Sequence, residues 1–177
     1  MKKITLVLFA LVVSLGMYAQ WNNECDFKKN EVKVNLPLTI FMSYPEISYE
    51  RILNTDISVG ASLGVGLDKS RSLMDFAFTP YFRWFFGGNR NSMEKAGAGF
   101  FIEANGALFS ANENNSFFGT NTGSKEDKKF GAGLGLGVGW KYLSRNNWVG
   151  EICYGVGRDF VAERAYPHIG ISIGKRF

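Results

Sequence analysis

Residues 131–140 read GAGLGLGVGW, with glycine at every odd position and Ala132, Leu134, Leu136, Val138 and Trp140 between them. The parity never breaks. A phosphate-cradling G-x-G-x-x-G turn needs glycines that change parity inside the motif, and a flexible linker is built from polar residues. Strict period two with apolar residues in the gaps describes a β-strand whose second face carries almost no side chains. Glycine in a strand costs backbone entropy, so the bare face calls for a close neighbour packed against it.

The same alternation recurs along the chain and predicts strands over 31–41, 44–53, 56–67, 75–86, 97–109, 129–142, 147–157 and 166–177. No helical segment is expected between them. An even number of strands suits a closed, antiparallel, up-and-down barrel. The turns expected at 54–55 and 144–146 are short, whereas 68–74, 110–128 and 158–165 at the other end are longer. That asymmetry belongs to outer-membrane barrels. Two links depart from it: a short outer link at Met42 and Ser43, and a long inner one over 87–96.

The chain opens Met-Lys-Lys and then runs almost wholly apolar from Ile4 to Tyr18, with Ala19 before Gln20. A basic start, a short apolar stretch and a small residue read as a cleaved secretory signal peptide over 1–19. The run is too short for a comfortable helical membrane span of about 20 residues. Removing it takes away Lys2 and Lys3 and lowers the formal net charge from +4 to +2. With no basic face left, nucleic acid is not an expected partner. The remainder is read as a short periplasmic segment over 20–30 and one barrel domain over 31–177. Two free thiols, Cys25 and Cys153, are favoured over a disulfide because sequence alone does not set their separation.

Parity separates two faces. One carries Ile47, Val59, Leu63, Phe82, Leu136, Ile152 and Ile171, together with large aromatics near the strand ends closest to the short turns: Trp84, Phe86, Phe100, Trp140, Tyr142, Trp148 and Phe177. Aromatic residues sorted by height form a membrane-interface girdle, which a soluble core has no reason to build. The apolar face is also too large for an eight-stranded interior. The face opposite is therefore the lumen, where the glycines of 60–66 and 131–139 leave room for Tyr81, Arg83, Phe85, Phe101 and Phe109. It also receives Lys33, Arg83, Lys141 and Arg176 with Glu46, Glu50, Glu103 and Glu151. Four charges of each sign predict a lumen plugged by ion pairs, because an unpaired buried charge is expensive.

With its first hairpin VKVNLPLTIF…PEISYERIL and its terminus HIGISIGKRF, the chain resembles the small eight-stranded outer-membrane β-barrels of Gram-negative bacteria, a porin-like and OmpX-like group that includes members of unknown function. The resemblance covers about 31–177. It implies an outer-membrane location among lipids, and biogenesis through the barrel-insertion machinery. Ile169, Ile171, Ile173 and Phe177 match the carboxy-terminal signal read by that machinery, while Lys175 departs from it at a position that is usually apolar.

Function is less constrained, since a fold does not fix activity. Some similar barrels modify lipids with a Ser, a His and a carboxylate. The single histidine, His168, has Ser172 four residues on, about 13 Å along a strand and out of reach. Catalytic, cofactor-binding and metal sites are not expected, the last because the chain offers one His and two separated Cys. The polar loop at 110–128, with Phe117 and Phe118, offers a surface for an extracellular ligand. The expected role is structural or surface-interacting. A lipid-modifying enzyme, a soluble lipocalin-like binder and a narrow solute pore are the alternatives.

Overall fold

Period-two segments with a glycine-rich face close on themselves when the first strand reaches the last, and here they do. A computed structural model describes residues 28–67, 74–86, 96–111, 129–161 and 164–177. Its strands are β1 (Asn30–Asn35), β2 (Glu46–Ile52), β3 (Ile57–Val65), β4 (Phe76–Phe86), β5 (Gly99–Ala111), β6 (Lys129–Leu143), β7 (Trp148–Asp159) and β8 (Arg164–Arg176). Each pairs antiparallel with its sequence neighbours, and β1 closes the barrel on β8 through Glu31 opposite Arg176 and Val34 opposite Ile173. This is the expected eight-stranded up-and-down meander.

The first hairpin differs from the expectation. β1 stops at Asn35, and Leu36–Phe41 forms a short helix, α1. Pro37 is the cause: it has no N–H to give the ladder, and its fixed φ suits the first turn of a helix. Thr39 Oγ1 donates to Asn35 O at 2.6 Å, and the backbone amides of Met42 and Tyr44 both return to Leu38 O. The outer link is thus a ten-residue excursion over 36–45 rather than a two-residue turn. Strand length is also uneven, from 6 residues in β1 to 15 in β6.

At the opposite end, 53–56 and 144–147 make tight connections. Asn147 holds φ 63°, a left-handed conformation that asparagine tolerates better than most residues. The alternation of faces holds along every strand: Tyr81, Arg83 and Phe85 of β4 are buried in the lumen, while Phe82, Trp84 and Phe86 face outward. Residues 1–27, 68–73, 87–95, 112–128 and 162–163 lie outside the described residues. So therefore do the expected signal peptide, Cys25, and Phe117 and Phe118. Cys153 is a buried free thiol.

Candidate functional site

The inner half of the lumen holds a continuous ion network. Glu50 of β2 is its hub. Its Oε2 accepts from Lys33 Nζ at 2.5 Å and Arg83 Nη1 at 2.7 Å, and its Oε1 accepts from Lys141 Nζ and Ser58 Oγ, both at 2.5 Å. Glu151 of β7 receives Lys33 Nζ at 2.7 Å and both terminal nitrogens of Arg83, at 2.8 and 3.0 Å. Arg83 Nε gives its remaining bond to Glu103 Oε2 at 2.7 Å. The Arg83 guanidinium also lies between two rings, 4.3 Å from the Tyr81 centroid and 4.5 Å from that of Phe101. Planar stacking and a five-donor fork are properties that lysine does not have.

Seven of the eight charges expected in the lumen join this network. Glu46 does not: it sits four residues outward from Glu50, half-buried, and its contact is with Asn35 Nδ2 at 3.4 Å. The missing acid is Glu31, which is completely buried. Glu31 accepts from Arg176 Nε at 2.7 Å and Lys141 Nζ at 3.0 Å, while Arg176 also donates to the carbonyls of Ala96 and Gly97. Four acids and four bases therefore do balance, with Glu31 in the place expected for Glu46. The signal for Glu31 was its parity with Lys33. Glu31 and Glu50 stand directly opposite in the β1–β2 ladder, a pairing of like charges that destabilises unless cations bridge it. Lys141 reaches both from across the barrel.

Rings pack among the charges, as Phe85 and Phe101 do, and take over outward of them. A Cβ added at Gly60 would run into Tyr81, at Gly64 into Tyr44, at Gly131 into Phe109, at Gly139 into Phe101 and at Gly157 into Tyr166. The bare face of 131–139 is therefore a seat for aromatic rings from other strands. Four buried polar atoms at and above mid-height have no hydrogen-bond partner among the described residues: Asn35 Oδ1, Tyr44 OH, Asn105 Oδ1 and Tyr166 OH.

At mid-height the closure of the barrel assembles a trio the sequence did not announce. Glu103 of β5, Cys153 of β7 and His168 of β8 each place one ligand-type atom within 4.8 Å of the others. His168 Nε2 is 3.4 Å from Glu103 Oε1. Ser172, discounted as a partner of His168 on distance, faces Glu151 and Asn35 in the ladders instead.

On the outer wall, Trp84, Phe86, Phe100, Trp140, Tyr142, Trp148 and Phe177 are all exposed. Phe86, Phe100 and Trp140 occupy consecutive register positions across β4, β5 and β6, and Trp84 stacks on Phe86 at 5.1 Å. Ile169, Ile171 and Ile173 also face outward. Lys175, the residue out of pattern at the terminus, lies over the Trp148 ring at 5.8 Å, which gives its charge a favourable face on that wall.

A family model described as "Protein of unknown function (DUF3575)" matches residues 5–175. Among curated proteins none matches. Among solved structures, the N-terminal β-barrel domain of Pseudomonas aeruginosa OprF is similar, with a TM-score of 0.59 and 14% sequence identity over 85% of this chain and 98% of that one. At that identity the likeness is one of fold.

Proposed function

The chain belongs to the DUF3575 family of proteins of unknown function, and we propose that it is an integral outer-membrane barrel with a closed lumen, serving a structural or surface-interaction role without catalysis. One observation carries this reading: the molecule is inside out. The eight charged side chains of the network, from Glu31 to Arg176, are buried in the lumen, while Leu134, Leu136, Ile152, Tyr154 and Ile171 stand exposed on the wall. In water, a continuous apolar belt of that extent is a liability. In a bilayer it is the matched surface, and the aromatic row near the inner ends sits where interfacial rings are favoured. The OprF-like fold supports the same placement.

The ion network supports a closed lumen. Lys33, Arg83 and Lys141 each bridge to carboxylates on other strands, leaving acids and bases to neutralise one another across the barrel. Conduction would require breaking those pairs. The interaction surface is assigned to the polar segment 110–128, which the sequence reads as a loop. The alternating terminus Ile169, Ile171, Ile173 and Phe177 is the segment offered to the insertion machinery, and residues 1–19 serve as the export signal.

The test is membrane fractionation followed by electrophoresis of boiled and unboiled samples. Recovery in the outer-membrane fraction as a compact band that slows on heating is expected. Recovery as a soluble periplasmic protein would overturn the membrane reading and leave a soluble ligand-binding barrel. In planar bilayers the purified protein should give no discrete steps; reproducible steps would overturn the closed lumen.

A further inference from the structure

Glu103, Cys153 and His168 are separated by 50 and 15 residues in the chain and lie on three different strands. Their chemistries, a carboxylate, a thiol and an imidazole, are the three that bind zinc. The separation of His168 Nε2 and Glu103 Oε1, 3.4 Å, is long for an N–H···O hydrogen bond, whose usual span is about 2.7–3.2 Å. It is, however, the edge of a tetrahedral site: two ligands each about 2.0–2.2 Å from one metal stand about 3.3–3.6 Å apart. Cys153 Sγ lies within 4.8 Å of both, so a movement of about 1 Å brings it to the sulfur edge of the same tetrahedron.

The ladder keeps that spot clear. Glu103 is opposite Gly137, His168 is opposite Gly155, and Cys153 is opposite Gly139 on one side and Gly170 on the other. Apart from Arg83, which stands opposite Glu103 on the β4 side, the paired neighbours of the trio are glycines. Gly137 is close enough that an added Cβ would be 3.5 Å from Cys153 Sγ.

The surrounding groups divide the work. Glu103 commits Oε2 to Arg83 at 2.7 Å and turns Oε1 toward His168, where Asn105 Nδ2 steadies it at 2.8 Å. Such outer partners orient a ligating carboxylate. Asn105 is itself buried, and its Oδ1 has no partner among the described residues. That orphan acceptor is what a metal-bound water beside Glu103 would donate to. A divalent cation enters and the thiol proton leaves; because the Glu103 carboxylate is already paired with Arg83, the thiolate supplies the new negative charge at the site. The guanidinium of Arg83 opposes the cation, which makes the thiolate indispensable.

We propose that Glu103, Cys153 and His168 form a site for a borderline-soft divalent cation of the zinc class, with water in the fourth position, tying β5, β7 and β8 together across the lumen.

The probe is Co2+ added to the full-length barrel, purified in detergent and stripped with a chelator, followed by optical absorption. The expected result is one equivalent bound, a thiolate-to-cobalt charge-transfer band, and displacement by Zn2+. Affinity should rise with pH, because binding expels the thiol proton. The band should survive Cys25→Ser and vanish in Cys153→Ser. His168→Gln, which keeps a polar side chain at a partly exposed position, should weaken binding at least tenfold. Each variant is first checked for the heat-dependent gel shift, so that loss of the band is read only on folded barrels. If Cys153→Ser does not fold, His168→Gln carries the decision. No charge-transfer band from the folded parent, or a band that persists in a folded Cys153→Ser barrel or at full strength in His168→Gln, would overturn the proposal.

Discussion

The inner and outer halves of the lumen fill the same barrel differently: ion pairs interleaved with Phe85 and Phe101 inward, rings outward. Inward, Glu50 alone meets three cations and two hydroxyls, and every one of the eight charges has a counter-charge. Outward, the filling is Tyr44, Phe109 and Tyr166 pressed against glycines, with three of the four orphan polar atoms among or beside them. Rings ask only for shape, and glycine on a facing strand supplies it. Charges ask for complete pairing, since one missing partner leaves a buried ion uncompensated. The two halves therefore differ in what they specify. Sliding one strand by two residues would leave a ring against another glycine in the outer half. In the inner half it would strip Arg83 or Lys141 of its carboxylates. The ion network is the part that fixes register.

That contrast can be broken experimentally, and the largest effect belongs to its hub. Glu50→Ala leaves Lys33, Arg83 and Lys141 short of a partner, and removing one member of a buried pair costs about 3–5 kcal/mol. Urea unfolding followed by gel shift should show a loss of that order; a loss below about 1 kcal/mol would mean that the inner half tolerates unpaired charge. A middle-sized effect is expected in the outer half, where Gly131→Val drives a side chain into the Phe109 ring. Overpacking of this kind costs about 1–3 kcal/mol. Pairing it with Phe109→Ala should make the double variant less damaging than the sum of the two singles. Strict additivity in that cycle would remove the seat-and-ring relation.

The smallest effect sharpens the comparison. Tyr166→Phe deletes a buried hydroxyl that has no partner among the described residues, so it should be neutral or slightly stabilising, within about 1 kcal/mol. Ser58→Ala, which removes a hydrogen bond to the Glu50 carboxylate, should cost about 1.5–3 kcal/mol. Equal costs at the two positions would show that the halves do not differ in their demand for partners.

Much of the barrel was legible because a strand reports its faces locally. Parity alone put Arg83, Glu103 and Lys141 inside and Trp84, Ile102 and Trp140 outside, and the register agrees at each. The first hairpin was less legible. Its alternation VKVNLPLTIF continues through Pro37 as though the strand did, yet a missing N–H ends the ladder where the pattern does not. Glu31 and Glu46 show a second limit. Both have the right parity, and only height along the barrel separates a hub contact from an outlying one.

The sequence by itself determined the number of strands, the two faces and the glycine wall, because these follow from a period of two along a single strand. Tertiary structure alone decided which inward residues meet. Lys141 reaches Glu31 and Glu50 across 110 and 91 positions, and Cys153 stands by His168 and Glu103, through the stagger and closure of eight strands. Closure is a property of the whole ring, and no window of the sequence contains it.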